Sequence, residues 1–146
     1  MLENSPPQTF NGNINALPAA LLPLCEKNQW LVWRWKKTDN GKWTKPPFQA
    51  RFPGRLARNN DPTTWSSHAE AAKAVKSGVG DGIGFALTNT EIAAVDLDHC
   101  RDPESGRIDA WACDIIGQAP GAYLEITVSG TGLRIVGTAT GDAYEL

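Results

Sequence analysis

The segment IAAVDLDHC, residues 92–100, constrains the fold and chemistry of this chain more than any other part of it. Its apolar start predicts a buried strand, which delivers two carboxylates, Asp96 and Asp98, two positions apart. Side chains along a strand alternate between its faces, so both carboxylates point the same way, about 6–7 Å apart at their Cβ atoms. Two interpretations fit this spacing and stay open. Either the pair holds one or two divalent cations, or the strand simply ends in a solvated turn.

A second segment, AYLEITVSGTGLRIVG at residues 122–137, predicts two strands joined by the turn Ser129-Gly130-Thr131-Gly132. Alternation places Glu125 on the polar face of the first strand, from which it could approach the carboxylate pair. The two glycines permit positive φ and let backbone N–H groups approach an anion, and Arg134 adds a guanidinium suited to phosphate. An ordinary glycine-rich hairpin with an outward-facing arginine fits the same residues.

The two segments above belong to a longer series of short motifs along the chain. The motifs are LP at residues 17–18, QWLVW at 29–33, GKWTKPPF at 41–48, DPTTW at 61–65, DGIGF at 81–85, DLDHC at 96–100, AWA at 110–112, YLE at 123–125 and SGTGL at 129–133. This series resembles the N-terminal primase–polymerase domain of phage and plasmid replication proteins, in the archaeo-eukaryotic primase superfamily. The resemblance runs from about residue 17 to residue 138, without large gaps.

The resemblance implies a role for each of the two segments. Asp96 and Asp98 match the family's catalytic metal ligands, with Mg²⁺ or Mn²⁺ as the cofactor. Ser129, Gly130, Thr131, Gly132 and Arg134 match the part that binds the incoming nucleotide's triphosphate. The family's pattern has a histidine where this chain has Arg134.

The resemblance also implies a third motif, another strand with a carboxylate, well beyond the second. The sequence ends at residue 146, so we expect a domain truncated before that motif. Asp142 and Glu145 lie close behind the hairpin and are weak replacements for it. We therefore expect this length of chain to be inactive alone.

Two functions follow as expectations. The first is a metal-dependent DNA primase/polymerase-type nucleotidyltransferase domain acting in phage or plasmid DNA replication. Its partners are nucleoside triphosphates, a single-stranded DNA template and a helicase domain in the same or a partner chain. The alternative is a non-catalytic module that binds nucleotide or single-stranded DNA. Phosphatases with an aspartate nucleophile also have Asp-x-Asp after a strand, but that strand usually lies near the N-terminus.

Charge is unevenly distributed along the chain. Residues 27–58 contain nine basic residues and one acid, a net charge of +8, so the rest of a chain of net charge −2 carries −10. A basic region of this kind is typical of a phosphate-binding surface. We expect Lys45, Arg51, Arg55 and Arg58 to bind nucleic acid. Trp30 is expected in the core. At most one or two of the tryptophans are expected to be exposed, and some could stack on unpaired bases.

Composition supports a globular domain: 41% of residues are hydrophobic and 21% are charged. No continuous apolar run approaches 18 residues, so no membrane partner is expected. Residues 1–16 are rich in Pro, Asn and Gln, and we expect a disordered leader before a domain at residues 17–146. The three cysteines lack the spacing of a zinc site and indicate reduced thiols in a cytoplasmic protein.

The predicted fold is α+β, a mostly antiparallel sheet of hairpins with helices on one face, like the RRM-like core of the primase family. Hairpins are expected over residues 29–48 around an Asn-Gly turn, over residues 82–97, and over residues 122–137. Helices are expected at residues 17–27, 61–76 and 109–118.

Overall fold

A computed structural model describes residues 4–139 of the chain. These residues form two compact units. The N-terminal unit comprises residues 4–7 and 12–88, and the C-terminal unit comprises residues 8–11 and 89–139. Both units combine helix with antiparallel strands, which confirms the predicted α+β class. The predicted leader (1–16) and single domain (17–146) stay predictions.

The N-terminal unit is built on strand β1 (Trp30–Trp33). This strand lies between β4 (Pro47–Phe48) and β5 (Gly82–Phe85), and both neighbours are antiparallel to it. Its residues Trp30 and Val32 pack in one core with helix α1 (His68–Lys76). The core consists of Trp30, Val32, Phe48, Ala71 and Ala74. The predicted burial of Trp30 is confirmed, since only 3% of this residue is exposed.

A two-stranded sheet continues the same hairpin beyond the core. Strand β2 (Lys36–Lys37) pairs with β3 (Trp43–Thr44) in the register already set by β1 and β4. Pro46 lies at the break between the two sheets, where the proline nitrogen has no hydrogen to donate to a ladder. The hairpin predicted over residues 29–48 is therefore confirmed, with an interruption that divides it into two sheets.

The helix predicted over residues 61–76 is wrong in its continuity. Residues Pro62–Thr64 form a short 3-10 helix, and α1 begins only at His68. Between them the chain is extended, and Ser66 forms a β-bridge with Trp30. Ser67 then caps α1, accepting a hydrogen bond from the Glu70 backbone N–H while the Glu70 carboxylate accepts one from the Ser67 backbone N–H. The helix predicted at residues 17–27 is a 3-10 helix over Ala19–Glu26.

The C-terminal unit is a three-stranded antiparallel sheet in the order β6-β8-β7, with helix α2. The strands are β6 (Ile92–Leu97), β7 (Tyr123–Ile126) and β8 (Leu133–Thr138), and α2 spans Ala110–Gly117. The helix and the sheet share one core of Leu97, Cys100, Ala112, Leu133 and Ile135. The hairpin predicted over residues 122–137 and the helix near residues 109–118 are confirmed.

The hairpin predicted over residues 82–97 is wrong in its pairing. Both strands exist, but β5 pairs with β1 and β6 pairs with β8. A local sequence pattern does not specify the partner of a strand, because pairing also depends on side chains far away in the sequence. Between residues 4 and 139, no helix is long and apolar enough to cross a membrane.

Candidate functional site

One row of charged residues crosses the sheet of the C-terminal unit. Asp96 on β6 lies directly opposite Arg134 on β8, and Arg134 lies directly opposite Glu125 on β7. Directly opposed residues on neighbouring strands project on the same face of a sheet. The arginine of the central strand therefore lies between two carboxylates from the outer strands.

The position of this row follows from strand alternation. The next row along the sheet is Leu97, Leu133 and Ile126, and these side chains pack in the core shared with α2. Because the side-chain period of a strand is two, a core row on one face puts the charged row on the other. The predicted alternation of polar and apolar faces in residues 122–137 is observed here.

The charged row is held by ion pairs. The Arg134 Nε donates to Asp96 Oδ1 at 2.6 Å, and its Nη1 donates to Glu125 Oε1 at 3.4 Å. The hydrogen bond to Asp96 is the main reason that the pKa of Arg134 is raised, so this guanidinium is a permanent cation. Burial and the neighbouring Glu125 raise the pKa of the Tyr123 hydroxyl, which therefore stays protonated at neutral pH.

Asp98 lies one residue beyond the end of β6, in the turn that follows the strand. Both Asp96 and Asp98 are exposed. His99 adopts a left-handed conformation, with φ 53°, which reverses the chain. Cys100 is buried behind the turn, with its Sγ 3.2 Å from the Leu97 carbonyl oxygen. The turn is thus fixed to the core immediately after it presents Asp98.

The turn at residues 129–132, which we call the glycine turn, lies beside the turn at residues 98–100, which we call the carboxylate turn. The backbone N–H groups of Cys100 and Arg101 both donate to the Thr131 carbonyl oxygen, at 3.0 and 2.9 Å. Gly130 has φ 76°, and a Cβ at Gly132 would lie 2.8 Å from the Leu97 carbonyl oxygen. Glycine is required at these two positions for conformation and for space, respectively. The structure therefore brings the two predicted segments together at one end of the sheet.

Part of the hydrogen-bonding capacity of the glycine turn is used within the turn itself. The Gly130 N–H donates to the Thr127 carbonyl oxygen, and the Thr131 N–H donates to Ser129 Oγ at 3.3 Å. The hydroxyl oxygens of Ser129 and Thr131 are 2.8 Å apart, on exposed or half-buried residues. An anion at this turn would therefore meet hydroxyl groups as well as backbone.

Arg101 positions the glycine turn, and sequence reasoning missed it. Its Nη1 donates to the Gly130 carbonyl oxygen at 2.8 Å, and its guanidinium lies 5.4 Å from the Phe10 ring centroid. The Phe10 backbone N–H in turn donates to the Val128 carbonyl oxygen at 2.7 Å. The only sequence signal was the position of this arginine directly after DLDHC.

The residues of this end of the sheet fit a hard divalent cation in part. Carboxylate oxygens are the ligands that Mg²⁺ and Mn²⁺ prefer. No group of three or more His, Cys, Asp or Glu side chains within residues 4–139 is arranged to hold a metal. Asp96 and Asp98 would therefore supply two ligands and leave the rest to water and triphosphate, and Arg134 would have to leave Asp96. Asp142 and Glu145 lie outside the described residues.

The predicted nucleic-acid-binding residues all lie in the N-terminal unit. Arg51 forms a two-point ion pair with Glu70, at 2.8 and 3.0 Å, which gives it a structural role at the start of α1. Lys45 is exposed, with its Nζ 5.2 Å from the Trp35 ring centroid. The guanidinium of Arg55 lies 5.2 Å from the Phe52 ring centroid, and Arg58 is exposed beside Trp65.

Fold and site together define an α+β chain that carries a row of acidic and basic side chains on the polar face of an antiparallel sheet. No family model matches the chain. The chain is 33% identical, over 119 residues that make up 80% of its length, to the DNA primase-polymerase of Nitratiruptor phage NrS-1. It spans 16% of the length of that phage protein. This chain is homologous to part of a phage DNA primase-polymerase, which confirms the resemblance found in its motifs.

Proposed function

We propose that this chain is part of a metal-dependent nucleotidyltransferase of the primase–polymerase type, which joins nucleoside triphosphates on a single-stranded DNA template. The main support is the homology with the phage DNA primase-polymerase, over a match of 119 residues. The geometry of the C-terminal unit supports it further, because the carboxylate turn and the glycine turn lie side by side. Phosphoryl transfer needs anionic ligands and phosphate-binding groups at close range.

Each residue of the site has a distinct task in this proposal. Asp96 and Asp98 would hold a divalent cation, Mg²⁺ or Mn²⁺, through their exposed carboxylates. When bound, the cation would supply charge that stabilises the triphosphate and lowers the pKa of an attacking 3′-hydroxyl. Ser129 and Thr131 orient the triphosphate with their hydroxyl groups, and Arg101 holds their turn in place.

In this proposal Arg134 binds the carboxylates of the charged row in one state and the triphosphate in the other. In the structure it pairs with Asp96 and Glu125. An arginine forms its strongest hydrogen bonds with carboxylates and phosphates. With the Asp96 carboxylate engaged by a divalent cation, the Arg134 guanidinium would be free to bind the triphosphate instead. Arginine then does the task for which the family's pattern has a histidine, although it cannot exchange a proton near neutral pH.

The proposal is tested by measuring how much a nucleoside triphosphate increases the affinity of the chain for Mn²⁺. Calorimetry with Mn²⁺ should show weak binding to the chain alone and tighter binding with a non-hydrolysable nucleoside triphosphate, because the phosphates complete the coordination shell. The double variant Asp96→Asn, Asp98→Asn should lose this coupling. A matched control, Asp102→Asn, changes an exposed aspartate that accepts hydrogen bonds within its own loop. Unchanged metal affinity in the double variant would contradict the proposed site.

A non-catalytic nucleotide- or DNA-binding module is the second candidate. The observation in its favour is the ion pair between Asp96 and Arg134, together with the lack of a third metal-binding side chain within residues 4–139. Primer extension separates the two functions. We expect little incorporation by the 146-residue chain and Asp96-dependent incorporation by a longer chain that includes a further carboxylate strand. Inactivity of both, with intact nucleotide binding, would favour the binding module.

A further inference from the structure

The short sheet of the N-terminal unit has an alternating pattern of tryptophan and lysine on one face. Lys37 on β2 lies directly opposite Trp43 on β3. Continuing the same antiparallel register places Trp35 beside Lys45, on the same face, because side chains alternate along each strand. Trp35, Lys37, Trp43 and Lys45 form what we call the Trp–Lys face. Lys36 pairs with Thr44 on the opposite face.

Each lysine of this face lies over a tryptophan ring. The Lys37 Nζ is 5.6 Å from the Trp43 ring centroid, and the Lys45 Nζ is 5.2 Å from the Trp35 ring centroid. Lys45 is exposed, and the other three residues are half-buried. The face therefore presents partly exposed tryptophan rings with flexible lysine side chains over them, and the ammonium groups of these lysines can move aside.

The position of Trp35 is fixed by its neighbours. Its backbone N–H donates to Asp81 Oδ2 at 2.7 Å, and its ring meets the Trp33 ring edge-on at a centroid distance of 5.7 Å. A ring that is already held loses little freedom when a ligand stacks on it. The Trp–Lys face is in this sense preorganised for a flat ligand.

The charge of this region is not neutralised by nearby acids. Segment 27–58 has a net charge of +8, and within residues 4–139 no lysine of the hairpin (Lys36, Lys37, Lys42 or Lys45) is in an ion pair. Arg51, in contrast, is paired with Glu70. The charges of the hairpin lysines are thus not committed to an ion pair among the described residues, and these lysines can bind a polyanion.

We propose that the Trp–Lys face binds single-stranded DNA, with unpaired bases stacked on Trp43 and Trp35 and phosphates held by Lys37 and Lys45. Base stacking on an aromatic ring is stronger than an exposed cation–π contact, so a base displaces the ammonium group, which then binds the neighbouring phosphate. Duplex DNA keeps its bases stacked internally and cannot use the rings. This proposal rests on the proposed function and names the site that would hold its template. Its test uses neither metal nor triphosphate, so it can fail independently of the catalytic site.

The stacking part is tested with Trp43. Fluorescence anisotropy of a labelled oligothymidylate with the full 146-residue chain should show at least about fivefold weaker binding for Trp43→Ala. Trp43→Phe, which keeps an aromatic face, should retain most of the affinity. Trp43→Ala and Trp43→Phe should bind an abasic strand of the same length equally, because that strand offers phosphates without bases. Equal oligothymidylate affinity for Trp43→Ala and the unchanged chain would overturn the proposal.

The role of lysine in binding phosphate is tested with Lys36 and Lys37, which are neighbours on β2 and lie on opposite faces of the sheet. Lys37→Ala should weaken binding and lower the slope of log affinity against log salt by about 0.7, the value for one phosphate contact on a single strand. Lys36→Ala removes the same charge from the opposite face and should change both quantities much less. Thermal melting of each variant reports whether its fold is intact. Equal effects of the two variants would overturn the assignment to this face, and tighter binding of oligouridylate than of oligothymidylate would overturn DNA as the occupant.

Discussion

At the scale of the residue, Arg134 occupies one carboxylate of the candidate metal site, that of Asp96. Its Nε lies 2.6 Å from an oxygen of Asp96, so a cation that needs this carboxylate must compete with the guanidinium. Both side chains are partly exposed, and an exposed ion pair is worth at most about 1 kcal/mol. Competition of this size changes a binding constant by up to about fivefold. The cost is small enough for metal and nucleotide together to overcome.

We expect Arg134→Ala to bind Mn²⁺ alone up to about fivefold more tightly than the unchanged chain, because Asp96 is no longer paired. The same variant should lose part of the gain in Mn²⁺ affinity that a triphosphate provides, since the phosphate loses its arginine. Calorimetry measures both quantities. Arg107→Ala is the control, since Arg107 pairs with Asp109 rather than with the charged row. Mn²⁺ binding that is the same in Arg134→Ala and the control would show that Arg134 does not compete for Asp96.

The sequence predicted the faces of these residues but not their partners. Strand alternation correctly put Glu125 and Arg134 on the polar faces of their strands, because alternation is a local property. The pairing of Asp96 with Arg134 joins strands 38 residues apart in the chain. Such a contact depends on which strands meet in the sheet, and no local pattern contains that information.

At the scale of the element, helix α1 begins with an ion pair that depends on pH. The Glu70 carboxylate accepts hydrogen bonds from Arg51 and from Ser67, and these lower the pKa of Glu70 from 4.5 to about 2. A lowered pKa means that the folded state favours the ionised form. The contribution to stability is therefore complete above pH 4.5 and is lost as the pH falls towards 2.

We expect Glu70→Gln to lower the free energy of unfolding at pH 7 by on the order of 1 kcal/mol, since Glu70 is partly exposed and solvent screens its charge. The difference from the unchanged chain should shrink as the pH falls from 4.5 to 2. Urea unfolding at a series of pH values measures it. Glu91→Gln, which removes the same charge at an exposed position just before β6, is the matched control. A constant difference across this pH range would contradict the role of the ionised carboxylate.

The same element shows why the predicted helix at residues 61–76 was too long. Asp61 does cap a helix, accepting a hydrogen bond from the Thr63 backbone N–H, but that helix ends at Thr64. The pattern Ser67-x-x-Glu70 is a capping box that is visible in the sequence and marks a second helix start. Between the two starts, Ser66 pairs with Trp30, and this tertiary contact holds the chain extended.

At the scale of the whole molecule, charge is segregated along the chain. Segment 27–58 of the N-terminal unit carries +8, whereas the carboxylate pair and the glycine turn belong to the C-terminal unit. This division was evident from the sequence, because it needs only the order of the residues. The division into two compact units was not, because β5 and β6 were expected to pair and instead belong to different sheets.

Segregated charge predicts binding to single-stranded DNA that weakens steeply with salt, since each neutralised phosphate releases counterions. We expect the double reversal Lys45→Glu, Arg55→Glu to weaken binding and lower the salt slope by about 1.4 or more, two contacts at about 0.7 each. Lys73→Glu, Lys76→Glu makes the same change in net charge on α1 and is the matched control. Anisotropy titrations of an oligothymidylate at several salt concentrations give the slopes. If both double variants reduce the slope equally, only the net charge of the molecule matters and the basic segment has no special role. If the control leaves the slope unchanged while the reversal at Lys45 and Arg55 lowers it, the DNA is held by the basic segment.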